Sequence, residues 1–306
     1  MKKQIILDQM ILVVLNISLW QGRKALRIDD LAANGIDVGK LPPGTLATLG
    51  SKRVISPDAV KVFVNLKRTA MQLCLKYGVR FGGDGYAVPR EKVEALSKEL
   101  QRLKEEFAAA KANFISVYEQ EVERWINLNP PEWAPVIRAS VDSLCYVQRA
   151  LSFKFSALDV KAPQEIEANG LDEELGSLYG QLCHEVRVAA RRAFEISFVG
   201  RNEISQRTLR PIKSIREKLA GLLFLEPSIS ETIMVIDDTL AKLPAEGAIT
   251  GTDLNMVAGL LGMQLANMGR QYESVAEEAS DEDDGITEPV IVSPNTGKVE
   301  PISWDF

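Results

Sequence analysis

The apolar positions near the start of the chain have the period of a β-strand. Within residues 11–20 every second residue from Val13 onward is aliphatic, which gives the set Val13, Leu15, Ile17 and Leu19. A period of two is typical of a strand. A second β-like region, Val79–Pro89, contains a glycine-rich bend at Gly78–Gly85 that lacks the Gly-Lys-Ser/Thr of a phosphate loop. We predict a structural turn there, paired with the N-terminal strand.

Helical periods dominate the rest of the chain. Ser56, Pro57 and Asp58 favour the start of a helix and Gly78 favours its end, so a helix is predicted between them. Farther along, apolar residues recur at alternating spacings of three and four: Val93, Leu96, Leu100, Leu103, Phe107, Ala110, Phe114 and Val117. This repeat predicts one helix over Arg90–Asn127, on the order of 55 Å long at about 1.5 Å per residue.

A second heptad pattern follows the proline-containing break at Asn127–Pro135. Its seam positions are Ile137, Val141, Leu144, Gln148, Leu151, Phe155 and Leu158. Two helices joined by a short connection fold back on each other, so the sequence predicts a long antiparallel helical hairpin over residues 90–160. Its length suggests a projecting arm, and oligomerisation through the hairpin is one use for it. The polar Gln148 suggests a position that sets the register or faces a partner.

The C-terminal half is predicted to be helical. Its helices are expected at residues 171–199, 206–225, 228–243 and 252–275. The predicted fold class is mainly α, with a long antiparallel helical hairpin plus a helical bundle and a small β element near the N-terminus. The chain then divides into an N-terminal α/β segment at 1–89, the hairpin at 90–160, a helical region at 161–275 and a disordered acidic tail at 276–306.

Charge is distributed unevenly along the chain. Glu273–Phe306 has ten acidic residues and one lysine, a net charge of −9, whereas residues 1–272 have 35 basic and 32 acidic residues, or +3. A basic segment at residues 187–218 has nine basic and three acidic residues, or +6. Its candidate docking residues are Arg187, Arg191, Arg192, Arg210 and Lys213. They suit contacts with the phosphates of a nucleic acid, with a protein surface, or with water alone.

The acidic tail ends in an aromatic tip formed by Trp304, Asp305 and Phe306. We interpret this tip as a candidate partner-binding motif, because an acidic run steers a chain toward a basic surface and the aromatic side chains fit a pocket. Two other interpretations stay open. One is a solubilising tail without a partner, and the other is a contact with the basic segment of the same chain.

The sequence provides no catalytic constellation. His184 is the single histidine, and Cys74, Cys145 and Cys183 lie far apart within apolar helical patterns, which indicates reduced core cysteines rather than a zinc site. We expect no enzymatic activity and no cofactor, while a metal bound by carboxylates stays an open alternative. The apolar stretch Ile5–Trp20 is interrupted by polar residues, so we expect no membrane segment and a cytoplasmic location.

Three stretches, Ser18–Lys24, Gly78–Pro89 and Phe107–Trp125, carry a resemblance that covers most of residues 10–160. They resemble a bacterial family known as a domain of unknown function and found in phages, plasmids and integrative elements. Members of that family look like neighbours of a MoxR-like ATPase and of a von Willebrand A-type protein. The resemblance implies an adaptor or client role, and it carries over no catalytic residue.

Two functions are consistent with these patterns. The first hypothesis is a non-enzymatic assembly or adaptor protein of a mobile genetic element or phage, working with a MoxR-like AAA+ ATPase and a von Willebrand A-type partner. The alternative is a nucleic-acid-associated factor that uses the basic segment at 187–218. We therefore expect a protein partner in the first case and a nucleic acid in the second.

Overall fold

The computed structural model describes residues 2–32, 34–161 and 170–270 of the chain. Its α-helices are α1 (Lys2–Gln9), α2 (Ile28–Ala32), α3 (Pro57–Tyr77), α4 (Val93–Leu128), α5 (Ala134–Arg138), α6 (Leu144–Ala150), α7 (Leu171–Ser197), α8 (Arg210–Gly221), α9 (Ile229–Ala241) and α10 (Gly251–Gly259). Its strands are β1 (Met10–Ser18), β2 (Arg23–Ala25), β3 (Ser51–Arg53), β4 (Val79–Phe81), β5 (Gly85–Pro89), β6 (Ser152–Leu158), β7 (Glu203–Ser205) and β8 (Ala248–Thr250). The mainly helical class is confirmed, and the acidic tail lies outside the described residues.

A four-stranded antiparallel sheet organises the fold. Its order is β4-β5-β1-β6, so β1 lies between two partners. The strand predicted from the alternating pattern is confirmed as β1. Its pairing with the region of the glycine-rich bend is confirmed by the register from Met10↔Pro89 to Val14↔Gly85. At the bend the Gly85 amide donates to the Gly82 carbonyl at 2.9 Å, which closes the predicted turn.

Helices cover both faces of this sheet and form two cores. On one face, Ile11 and Val13 of β1 pack with α3 and α4 around Phe63 and Phe107. On the other face, Met10 belongs to the core formed with α7, α8, α9 and α10. Because successive side chains of a strand point to opposite faces, one strand supplies apolar residues to both cores.

α3 and α4 form the layer on the first face. The Ser56 hydroxyl accepts a hydrogen bond from the Asp58 amide and Pro57 occupies the first turn of α3, as the sequence predicts. α4 runs unbroken for 36 residues, and it buries side chains from Leu96 to Ile126 against α3 and the sheet. The long helix is confirmed. The projecting arm is wrong, because α4 contributes to the core over nearly its whole length.

The second half of the predicted hairpin is wrong. Residues 137–158 contain the end of α5, the short helix α6 and the strand β6, which pairs with β1 through seven residues. The sequence of this segment fits a strand as well as a helix, since Leu151, Phe153 and Phe155 also alternate with polar residues. When the segment forms a strand, the free edge of β1 supplies partners for its backbone N–H and C=O groups. Gln148 is exposed on α6.

Other predictions need smaller corrections. The helices α7, α8 and α9 lie within their predicted ranges, but the helix expected at 252–275 ends at Gly259. A π-helical turn at Leu260–Gln264 and a 3-10 turn at Leu265–Asn267 follow it, and residues beyond 270 lie outside the described part of the chain. Of the three cysteines expected in the core, Cys145 is exposed. No helix within the described ranges is long and apolar enough to span a membrane.

Two leucines of α4 test its placement as a core helix. Leu103 is 2% exposed and Leu128 is 69% exposed. We expect Leu103→Ala to lower the free energy of unfolding by about 2–5 kcal/mol, because the substitution leaves a cavity in the core. Leu128→Ala is the matched control, with an expected change below about 0.5 kcal/mol. Urea titrations followed by circular dichroism measure both values, and equal effects would contradict this placement.

Candidate functional site

The structure gives several of the predicted docking residues a structural role. Three of them lie on α7 and two on α8: Arg187, Arg191, Arg192, Arg210 and Lys213. The buried Arg187 donates from Nη1 to the Met268 carbonyl at 2.9 Å, and Arg191 donates from Nη2 to the Ala266 carbonyl at 3.4 Å. These acceptors lie at the end of the last helical turns. A guanidinium there satisfies carbonyls that have no partner within the helix.

Two further cations of the basic segment bind carboxylates. Arg216 forms a two-point ion pair with Asp237 of α9, with distances of 2.9 and 2.7 Å between the paired atoms. Lys218 lies between α3 and α7, where its Nζ donates to the Leu75 carbonyl at 2.6 Å and to Glu185. Three candidates stay exposed and pair with no carboxylate of the described chain: Arg192, Arg210 and Lys213. Much of the +6 segment therefore joins helices to one another.

A groove lies between α7 and the helical turns at the end of the described chain. Its volume is about 530 Å³. α7 contributes Arg191, Phe194 and Glu195, and seven residues between Asn255 and Asn267 form the opposite wall. Most of that wall consists of small or apolar residues: Ala258, Gly259, Gly262, Met263 and Ala266. We call this feature the C-terminal groove.

The two walls of the C-terminal groove meet closely at one point. The Phe194 ring stacks on Phe198, with ring centroids 6.3 Å apart and an angle of 6° between the planes. A Cβ atom at Gly262 would lie 3.3 Å from the Phe194 ring, so a side chain there would press on the aromatic wall. The π-helical turn at Leu260–Gln264 shapes this wall, and such turns occur frequently at functional sites.

Large apolar side chains are exposed on α7 as well as in the groove. Val188 and Ile196 are 51% and 63% exposed, and Met263 in the groove is 71% exposed. Because residues four apart share a helix face, Val188 and Ile196 flank Arg192 on α7. Arg192 therefore separates the two exposed apolar side chains on this face of α7.

The described residues form no metal-binding cluster, and the two buried cysteines are protonated. Within residues 2–32, 34–161 and 170–270, no three His, Cys, Asp or Glu side chains lie together in an arrangement that holds a metal ion. Burial raises the pKa of the Cys74 thiol to about 12 and also raises the pKa of Cys183. Both thiols therefore stay protonated at neutral pH, and a protonated thiol is a poor nucleophile.

A second polar cluster fixes the short antiparallel ribbon formed by β2 and β3. The Asp142 carboxylate accepts hydrogen bonds from Trp20 Nε1 at 2.8 Å and from Lys24 Nζ at 2.6 Å. The Tyr118 hydroxyl donates to the Asp142 carbonyl at 2.9 Å. These contacts tie the ribbon to α4 and to the start of α6. We call β2 and β3 the basic ribbon, because four of their six residues are basic.

Sequence reasoning missed both the C-terminal groove and the basic ribbon. A sign of the groove was present in the spacing of four between Ala258, Gly262 and Ala266, which places small residues on one helix face. The ribbon was less visible, since its two strands lie far apart in the chain and only their pairing joins them. The predicted aromatic tip, Trp304–Phe306, lies outside the described residues.

Gly22 tests how rigidly the basic ribbon is held. It has φ +60°, and an added Cβ would lie 2.5 Å from Cγ2 of the fully buried Ile55. Gly35 has φ +71° with no atom within 4 Å of an added Cβ, so Gly35→Ala is the matched control for backbone strain alone. We expect Gly35→Ala to cost roughly 1–2 kcal/mol and Gly22→Ala about 1–3 kcal/mol more, measured by urea titration. Equal losses of stability in the two variants would show that the Ile55 side chain moves aside without destabilising the protein.

Asp30 makes stability depend on pH. The hydrogen bond from Lys52 is the main cause that holds the pKa of Asp30 below its usual value. A lowered folded-state pKa stabilises the protein above the unfolded pKa of about 3.9, and this contribution is lost as pH falls through the folded-state pKa. Between about pH 5 and about pH 2, we expect wild type to lose more unfolding free energy than Asp30→Asn. Urea titrations at both pH values measure these losses. Equal losses of unfolding free energy in wild type and Asp30→Asn would rule out this contribution.

Comparison with known proteins identifies the family of the chain. The sequence model of the family described as "Protein of unknown function (DUF3150)" matches residues 7–265, so the chain belongs to that family. The resemblance to a family of unknown function is thereby confirmed. No curated protein and no solved structure matches the chain. The function therefore has to be inferred from the geometry of the molecule.

Proposed function

We propose that this member of the DUF3150 family is a non-enzymatic adaptor that binds a partner protein in the C-terminal groove. One observation carries the proposal. The groove has an apolar wall of small residues and an exposed methionine, while its described lining residues include no histidine, cysteine, serine, threonine or lysine. The lining suits the burial of an apolar side chain, and Glu195 is the one carboxylate among its described residues.

The shape and charge of the groove favour a helical segment as the occupant. Both walls are helical, and a further helix packs on such a surface with its ridges between theirs. Small residues let the backbone of a partner approach closely, while Met263 has the flexible side chain common on surfaces that bind helices. The exposed Arg191 in the lining favours a carboxylate on the partner. The proposed occupant is an amphipathic helix with an acidic flank.

The resemblance supplies the candidate partners for this adaptor. They are a MoxR-like AAA+ ATPase and a von Willebrand A-type protein of a mobile genetic element or phage. An adaptor in such an assembly needs a partner-binding surface and no active site of its own. The aromatic tip, Trp304–Phe306, is a proposed second contact with the same assembly.

The distribution of charge supports the adaptor over the alternative function. A nucleic-acid-associated factor would use the basic segment at 187–218 as a continuous surface for phosphates. Four cations of that segment instead bind carbonyls or carboxylates of the same chain: Arg187, Arg191, Arg216 and Lys218. The ion pairs neutralise Arg216 and Lys218, and burial keeps Arg187 from a nucleic acid, so the surface available for phosphates is not continuous.

Two exposed methionines provide a matched test of the groove. Met263 lines the groove and is 71% exposed, whereas Met234 lies on α9, outside its lining, and is 61% exposed. We expect Met263→Glu to weaken binding of the ATPase or the von Willebrand A-type protein by about tenfold or more, because a carboxylate replaces an apolar anchor. Met234→Glu is expected to bind like wild type. Biolayer interferometry with the two purified proteins of the same host measures the affinities.

Three results would contradict the proposal. In the first, neither protein binds wild type. In the second, Met263→Glu binds both proteins as tightly as wild type does. In the third, light scattering shows that Met263→Glu alters the oligomeric mass alone, which would assign the groove to a second copy of the chain. A variant that ends at residue 275 separates the groove from the acidic tail, and we expect it to retain the groove-dependent binding. Thermal melting of every variant confirms that each one is folded.

A further inference from the structure

Two arginines of the basic ribbon face each other, and neither has a counter-ion within the residues that the structure describes. Arg23 of β2 and Arg53 of β3 are direct cross-strand partners. The next pair along the ribbon is hydrogen-bonded, since the Val54 amide donates to the Gly22 carbonyl at 2.9 Å. Hydrogen-bonded and non-hydrogen-bonded pairs alternate in an antiparallel ladder, so Arg23 and Arg53 form a non-hydrogen-bonded pair, with Cα atoms about 4.5 Å apart. This is the closer of the two arrangements for side chains.

On the opposite face of the basic ribbon, each cation is paired with a carboxylate. Lys24 and Lys52 are also cross-strand partners. Each has a carboxylate at 2.6 Å, Asp142 for Lys24 and Asp30 for Lys52. No carboxylate in the described part of the chain pairs with Arg23 or Arg53. Burial, followed by the positive charge of Arg23, lowers the pKa of Arg53, and no acidic group counters these two effects.

The arginine pair is held in place by the fold around it. Trp125 Nε1 of α4 donates to the Arg53 carbonyl at 3.1 Å. Gly22, next to Arg23, is confined by the buried Ile55. Like charges directly opposite each other on two strands are destabilising. The backbone therefore holds the two residues opposite each other, and the charge of Arg23 acts on Arg53.

We propose that Arg23 and Arg53 form a binding site for a phosphate dianion, either inorganic phosphate or a terminal phosphate monoester. A guanidinium group donates two parallel hydrogen bonds to a phosphate or carboxylate. A carboxylate has two oxygens and a single charge, which match one guanidinium. A phosphate dianion has at least three free oxygens and nearly two charges at neutral pH, which match both. The two-arginine arrangement therefore selects phosphate, and the exposed Arg23 leaves the site open to solvent.

Binding of phosphate to the full chain is the direct test. Phosphorus-31 NMR and thermal melting are recorded in potassium phosphate and in potassium chloride of equal ionic strength, so that simple screening is subtracted. We expect wild type to broaden the phosphate resonance and to melt at a higher temperature in phosphate than in chloride, because a ligand of the folded state stabilises it. Arg23→Gln is expected to weaken phosphate binding by about tenfold or more.

Matched variants distinguish a phosphate site from a structural arginine. Arg192→Gln removes another exposed arginine without an ion pair and should leave phosphate binding unchanged. In chloride alone, Arg23→Gln should melt no lower than wild type, because it removes a repulsion. Arg53→Lys keeps the charge and loses the planar fork, so it should bind phosphate more weakly while staying folded. Should Arg53→Lys fail to fold, the exposed Arg23→Gln still decides the outcome.

Further ligands identify the source of the phosphate. Inorganic phosphate and a nucleoside 5′-monophosphate are titrated separately. Equal affinities assign recognition to the phosphate group alone, and a tighter monophosphate assigns it to a nucleotide-type ester. Either result supports the site if Arg23→Gln weakens the binding of that ligand by about tenfold or more. The proposal is overturned if wild type responds equally to phosphate and chloride, if Arg23→Gln binds phosphate like wild type, or if only a DNA duplex without terminal phosphates binds.

Discussion

The antiparallel pairing of β1 with β5 on one side and β6 on the other is the interaction on which the rest of the structure depends. Both pairings satisfy the backbone of β1, and the strand then places apolar side chains on both faces of the sheet. Ile11 and Val13 enter the core with α3 and α4, while Met10 enters the core with α7 to α10. One short segment therefore joins the N-terminal region, the long helix and the C-terminal helices into one structure.

The C-terminal layer depends on charge as well as on apolar burial. Arg216 joins α8 to α9, Lys218 joins α8 to α3 and α7, and Arg187 and Arg191 hold the last helical turns against α7. These contacts fix the spacing between α7 and the wall that contains Gly262. The C-terminal groove results from this spacing, because small residues line one wall where a larger side chain would fill the gap.

The two proposed binding surfaces belong to different layers of the molecule. The C-terminal groove is built from α7, α10 and the turns after α10, whereas the basic ribbon is tied to α4 and Asp142. If both proposals hold, the two ligands bind in different layers and do not compete for the same residues. Because β1 contributes to both cores, the sheet connects the two layers directly.

Local patterns in the sequence determined the elements whose stability is largely local. The strand β1, the N-cap of α3 and the length of α4 follow from periodicity and capping residues, and they are where the sequence predicts them; α3 also ends before Gly78, although that glycine is extended rather than left-handed. The fate of Leu151–Leu158 was decided by tertiary structure, because its residues fit a helix or a strand until the edge of β1 supplies partners. Contacts between distant segments likewise decided that Arg187 is buried and that Arg23 faces Arg53. Periodicity reports how one segment is patterned, whereas strand register and burial depend on which remote segment it meets.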